Sequence, residues 1–286
     1  MSNQYPEQIN LPFNRCALPS DFELLKTPGS VSSEEGYWII LKNGNILIET
    51  GEQIPLIPYG TMQKYEIECV APLHFANMKG RPVRAIHLSK HQNAPSGLQA
   101  ESFNAFNDSM TPELLSISGL GKQLLFWDET SRFCPRCGGN MQQMTETWGK
   151  QCHTCKLEQF PRIHPCAIVV VKKGDQLLLI RKPEWAKGRY SLVAGFIDPG
   201  ESLEECAARE VLEETGIEIR NIRYVTSQAW PFPSQLMAGF VADYAYGDIN
   251  ISDPEIEDAR WFTVGSLPSL PAKRSIARQL IDIFNK

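Results

Sequence analysis

Five side chains near residue 210 have the types and spacing for chemistry on phosphates: Glu201, Arg209, Glu210, Glu213 and Glu214. Glu210, Glu213 and Glu214 stand at i, i+3 and i+4, so on a helix their carboxylates converge on one face. Like charges so placed repel in an ordinary helix, but a hard divalent cation such as Mg²⁺ takes oxygen ligands and shares them with substrate phosphates. Arg209 can pair with Glu201 and brace the preceding loop against the helix. The alternative is a solvated acidic face with no chemistry, the commoner fate of a charge run.

The elements needed to hold these groups are written around them. Gly195, Pro199 and Gly200 mark a loop. Ser202 with Glu205 forms a capping box, so a helix is expected from about Leu203. Leu203, Ala207 and Val211 supply its buried stripe, and Gly216 stands where a left-handed residue would end it, with Ile217 packing back.

A second cluster lies upstream. Four of the eight cysteines form two C-x-x-C pairs, Cys134/Cys137 and Cys152/Cys155, each in a predicted turn. Two such knuckles can hold Zn²⁺ tetrahedrally, and a closed four-sulfur shell makes that zinc structural, not catalytic. His153 falls outside the shell, and His74, His87 and His91 are isolated. Cys166, in an apolar run, is expected in the core. This cysteine usage suits a reducing, cytoplasmic compartment rather than a secreted disulfide framework. The polar start, residues 1–10, gives no signal-peptide pattern, and no apolar run is long enough to cross a membrane.

The pattern G-x5-E-x7-R-E-U-x-E-E-x-G-U, met at every fixed position from Gly195 to Ile217, resembles the box of the Nudix hydrolases. The resemblance implies an α/β/α sandwich with a mixed sheet that hydrolyses nucleoside diphosphates linked to another moiety, using Mg²⁺ or Mn²⁺. It sharpens downstream, at Ser227-Gln228-Ala229-Trp230-Pro231-Phe232-Pro233-Ser234-Gln235. Read alone, this is a proline-stiffened segment presenting two flat aromatic surfaces, suited to stacking or to filling a core. Beside the box and the ribbon, it resembles S-Q-P-W-P-F-P-x-S of the NADH pyrophosphatase subfamily. Ala229 replaces the first proline, Gln235 the last serine, and Phe160 a tyrosine found in relatives.

That resemblance implies cleavage of NAD(H) to nicotinamide mononucleotide and AMP, with removal of NAD caps from RNA 5′ ends as a related activity of some members. It assigns residues 228–235, Phe160 and the backbone of Ala277 to substrate. For Mg²⁺ or Mn²⁺ it implies Glu210, Glu214, the carbonyl of Ala194, and Glu255 in a downstream E-I-x-x-A-x-W. Glu213 is a third ligand or, with Glu214, a candidate for activating water. Arg209 and Glu201 complete the box. The resemblance also implies a homodimer.

The organisation expected is an N-terminal Nudix-like α+β domain (residues 1–128), a zinc ribbon (129–160) and a catalytic domain (161–286). Strands are expected at 37–41 and 46–48, joined by an Asn43-Gly44 turn, and at 65–70 and 83–88. A helix should begin at Thr111-Pro112-Glu113 and its end reach Trp127. Further strands are expected at 166–171, 176–181, 222–227, 237–246 and 256–262, and a last helix at 275–284. The net charge of −5 argues against broad electrostatic attraction to nucleic acid. Arg132, Arg136, Lys150, Lys156 and Arg162 nevertheless give the ribbon a local basic patch. A non-catalytic nucleotide-binding module is the rival function, disfavoured because a mere binder has no use for adjacent like charges.

Overall fold

The computed structural model describes residues 11–30, 33–50, 55–65, 71–104 and 109–284. They divide into two compact units: Phe13–Arg162 with Pro231–Ser234, and 163–230 with 235–284 and residues 11–12.

The first unit begins with strands β1 (Phe22–Gly29), β2 (Gly36–Lys42), β3 (Asn45–Thr50), β4 (Pro55–Leu56), β5 (Tyr59–Gly60), β6 (Leu73–Met78), β7 (Arg81–His87) and β8 (Leu98–Ser102), then helix α1 (Pro112–Thr130). The strands form one mixed sheet, with β2 and β7 parallel. The Asn43-Gly44 turn is as expected: both residues have positive φ (50° and 79°), as a two-residue hairpin turn with matching twist requires. Trp38, Ile40, Leu47, Ile86 and Leu88 form a core on one side. α1 starts where Thr111 accepts from the Leu114 amide and Pro112 opens the helix. The strand expected at 65–70 is not formed at its start, since Tyr65 ends a 3₁₀ turn (Gln63–Tyr65); residues 66–70 lie outside the described residues.

The cysteine segment follows, with three short strands, β9 (Met141–Gln143), β10 (Lys150–Cys152) and β11 (Glu158–Gln159). It groups with the first unit and is tied to it by long-range contacts. The Trp148 indole donates to the Leu25 carbonyl (2.7 Å), Thr27 donates to the Met144 carbonyl (2.9 Å), and Trp148 meets Trp127 edge-on at 6.2 Å. Lys150, expected in the basic patch, is instead buried with its ammonium on Asp128 (2.7 Å). Arg132, Arg136, Lys156 and Arg162 remain exposed.

The second unit is the α/β/α sandwich. Its sheet runs β15-β16-β12-β13-β17, with β14 beside β12, where β12 is His164–Lys173, β13 Gln176–Arg181, β14 Val193–Phe196, β15 Glu218–Trp230, β16 Gln235–Tyr246 and β17 Asp258–Thr263. β12 pairs in parallel with β16 and antiparallel with β13, so the sheet is mixed. Period-two alternation along β12 splits the core. Ala167, Val169 and Val171 join Cys206, Ala207 and Val211 of helix α2 (Leu203–Thr215), whereas Ile168 and Val170 join Ile276, Leu280 and Ile281 of helix α3 (Ile276–Asp282). One helix therefore covers each face. β15 and β17 depart from the expected bounds: β15 extends to Trp230 and β17 begins only at Asp258.

Candidate active site and metal centre

Helix α2 is fixed at both ends by its own sequence. Ser202 accepts from the Glu205 amide while the Glu205 carboxylate accepts from the Ser202 amide, and Gly216 closes the helix at φ 73°. The buried stripe of α2 sits on the sheet, which turns its acidic face toward β14 and the ends of β13 and β17.

Arg209 is the brace of the loop. Its guanidinium donates to Glu201 Oε2 (2.9 Å), the Phe196 carbonyl (2.9 Å), Glu210 Oε1 (2.8 Å) and Glu213 Oε2 (3.0 Å). Its hydrogen bonds hold Glu201 down at about 2, and Glu201 in turn accepts from the Asp198 amide (2.8 Å). With its donors so committed, Arg209 positions the box loop and the acids.

Glu210, Glu214 and Glu255 line one cleft of about 420 Å³ with Ala194, Gly195, Lys182 and Asp253. Three regions distant in sequence thus converge. Glu214 is 3% exposed; burial first, and then neighbouring acids, push its pKa up to about 8 despite the opposing Lys182. Its Oε2 has no hydrogen-bond partner. Burial also raises Glu210. An unpartnered carboxylate oxygen in a cleft lined by further acids suits a divalent cation, so the donor set fits the ion that the resemblance implies. Glu213 does not line this cleft: its side chain is exposed and paired with Arg209.

Gly195 leaves the space that the Glu210 carboxylate fills. A Cβ there would lie 1.9 Å from the Glu210 carboxyl carbon. Gly195→Ala should therefore displace that carboxylate and lower divalent-metal affinity on the order of 10–100-fold, the usual cost of disturbing a ligand's support. Mn²⁺ titration of the variant, beside its melting curve, checks this; wild-type affinity would refute the packing account.

Lys182 and Asp253 carry no motif and were not anticipated. Lys182, just beyond β13, reaches Glu255 (2.8 Å) and approaches Glu214 (3.9 Å). Asp253 accepts from the Glu255 amide (2.8 Å) and braces that acid. The pairing of β13 with β17 brings Lys182 beside Glu255.

The aromatic segment is divided. Gln235 opens β16 and lines the acidic cleft, whereas Trp230 and Ala229 end β15 half-buried. Gln228, expected at substrate, is instead fully buried. Its amide donates to the carbonyls of Pro12 and Arg274 (3.0 Å each) and accepts from the Ile276 amide (2.8 Å), and so anchors the start of α3. Phe232 is already engaged: it packs against Phe13 and Phe103 at 5.7 and 5.5 Å, with the Lys122 ammonium 4.2 Å from its ring centre. Pro231 and Ser234 are buried and Pro233 exposed. Ala277 sits in the first turn of α3, buried in the core and outside the cleft lining. Phe160 is exposed.

The four cysteines meet as expected. Their sulfurs lie within 4.8 Å of one another, with Cys134–Cys155 and Cys137–Cys152 at 3.5 Å. Zn–S bonds of about 2.3 Å would set sulfurs roughly 3.8 Å apart in a tetrahedron, so the cage fits structural zinc. Each knuckle has a turn residue at positive φ, Gly138 (72°) and Lys156 (62°). The Cys155 amide donates to Cys152 Sγ (3.4 Å), which favours the thiolate.

The NUDIX domain family matches residues 162–283, the NADH pyrophosphatase zinc ribbon domain residues 129–160, and the NADH pyrophosphatase-like rudimentary NUDIX domain residues 35–127. Among curated proteins, the chain is 42% identical over 229 residues to the NAD-capped RNA hydrolase NudC of Pseudomonas fluorescens strain Pf-5, covering 80% of this chain and 83% of that protein. It is 38% identical over 255 residues to the protein of the same name from strain Pf0-1, covering 88% and 91%, and 40% identical over 229 residues to that of Stutzerimonas stutzeri, covering 80% and 83%. The chain belongs to the Nudix hydrolases, in the branch that carries the NADH pyrophosphatase zinc ribbon and rudimentary Nudix domain.

Proposed function

We propose that this enzyme hydrolyses the diphosphate bond of NAD(H), releasing nicotinamide mononucleotide and AMP, and that it removes NAD caps from RNA 5′ ends by the same chemistry. The observation that carries the reading is the cleft lined by Glu210, Glu214 and Glu255, in which a buried Glu214 oxygen has no hydrogen-bond partner. The names of the curated relatives favour these substrates.

Glu210, Glu214, Glu255 and the carbonyl of Ala194 would hold Mg²⁺ or Mn²⁺. The cation supplies charge neutralisation at the diphosphate. Water's oxygen forms a new bond to phosphorus, the bridging P–O bond breaks, and the displaced phosphate leaves on its nucleoside. Of the two acids considered for taking water's proton, Glu214 lines the cleft and Glu213 does not, so we assign that role to Glu214. Chromatography of the products from NADH, NAD⁺, ADP-ribose and an NAD-capped RNA with Mg²⁺ or Mn²⁺ tests the reading. Failure to form AMP from NADH with either metal would overturn it.

Trp230, half-buried at the end of β15, is the aromatic we assign to the dinucleotide's ring. Stacking of this kind contributes about 1–3 kcal/mol per base. Trp230→Ala should thus lower kcat/KM for NADH by one to two decades while sparing ADP-ribose, which lacks nicotinamide. Equal losses on both substrates would remove Trp230 from recognition. Phe232→Ala should act mainly on melting temperature, because its ring is packed against Phe13 and Phe103.

The working unit in this reading is a cytoplasmic homodimer. Sedimentation should give twice the 32.2 kDa chain mass, and a monomer at assay concentrations would rule the dimer out.

A further inference from the structure

A second cavity, of about 320 Å³, lies in the first unit between the β2–β3 hairpin turn, the end of β7 and helix α1. Lys42, Lys90 and Lys122 line it, beside Asn43, Asn45 and the floor residue Leu88, and among the described residues no Asp or Glu does. Three lysines line one space in a chain whose net charge is −5. Among the described residues, none of the three lysines has a carboxylate partner. The acid that meets the lining, Glu129, is spent on His87 (2.9 Å).

Two of the cations are held in place. The Lys42 ammonium donates to the Gln92 carbonyl, and Lys122 lies over the rings of Phe232 (4.2 Å) and Phe103 (5.3 Å). Their positions are therefore partly set before any ligand arrives, which lowers the ordering cost of binding. Burial depresses the Lys122 pKa, a cost to the charged form that a bound anion would offset. Asn43 and Asn45 add amide donors, and the leucine floor with the lysine stems offers apolar surface to a flat ring.

We infer that this cavity binds the phosphate group of a nucleotide, with Lys42, Lys90 and Lys122 as its cations. The inference stands apart from the hydrolytic reading, since it concerns another unit and needs no divalent metal. It is tested on the full chain, without added Mg²⁺ or Mn²⁺, by calorimetric titration with AMP and by fluorescence anisotropy of a short 5′-hydroxyl oligoadenylate. Lys90→Ala, at an exposed position, and Lys122→Met, which keeps the stem under the rings, should each weaken binding roughly tenfold. Each should also reduce the salt-dependence slope by about one for the oligonucleotide. Lysine-dependent binding of AMP would identify the ligand as a free nucleotide. Lysine-dependent binding of the oligonucleotide alone would identify it as a polynucleotide phosphodiester. No binding of either probe, or binding unchanged in both variants, would overturn the inference.

Discussion

Glu214→Gln is expected to abolish diphosphate hydrolysis and, in the metal-free protein, to raise stability. The substitution preserves shape but removes charge from a side chain that is 3% exposed, with one oxygen unpartnered. In the wild type the folded-state pKa of about 8 stands above the ordinary carboxylate value of about 4.5. The folded state therefore binds a proton that the unfolded state has lost at neutral pH. Stability from this group is fully present below about 4.5 and declines as pH rises through about 8. By pH 8 the loss is on the order of a few kcal/mol, moderated by Lys182. Subtracting the variant's melting curves from those of the metal-free wild type isolates this term. The difference should grow across that window and shrink when Mn²⁺ is added, because a ligated carboxylate no longer carries an uncompensated charge. Near-normal turnover in the variant, or a pH-independent difference, would remove Glu214 from the metal site.

Cys152→Ser should have the largest effect on stability. Cys152 is fully buried and contributes one of four sulfurs within 4.8 Å. The ribbon's three strands hold only two or three residues each, too few to bury a core of their own. Zinc binding in such modules contributes on the order of 10 kcal/mol at neutral pH, and losing one thiolate forfeits much of it. The variant should lose stoichiometric zinc and melt the ribbon first. Because β10 also carries Lys150 onto Asp128, the first unit should loosen with it. The isolated chemical step should persist in whatever folded fraction survives. Full zinc content in the variant would contradict the four-sulfur shell.

What could be read from residues alone was whatever a single element or a short turn encodes. Carboxylates at i and i+4 share a face on any helix, as Glu210 and Glu214 do, and Ser202 and Gly216 announce both ends of that helix. A C-x-x-C knuckle is likewise local, since its turn and its ligands are the same few residues. The central catalytic-unit strand was legible because a strand buried on both faces must be apolar throughout, as residues 166–171 are, whereas the four-residue β14 was not expected. Strands β1, β6 and β8 escaped notice because their polar or partly exposed residues blur the period-two signal.

Tertiary structure decided the rest, and the reason is the same at each place. Lys182 reaches Glu255 because β13 pairs with β17, a register that no local pattern specifies. Gln228 sits in a motif that suggested substrate contact, yet the amides and carbonyls of chain segments over forty residues away consume its side chain. Lys150 looked like part of a basic surface until the Asp128 carboxylate and the Trp127 ring enclosed it. Residue types set which chemistry was available. Long-range pairing set which groups meet, because burial and hydrogen-bond partners are properties of the packed chain and not of the residues that supply them.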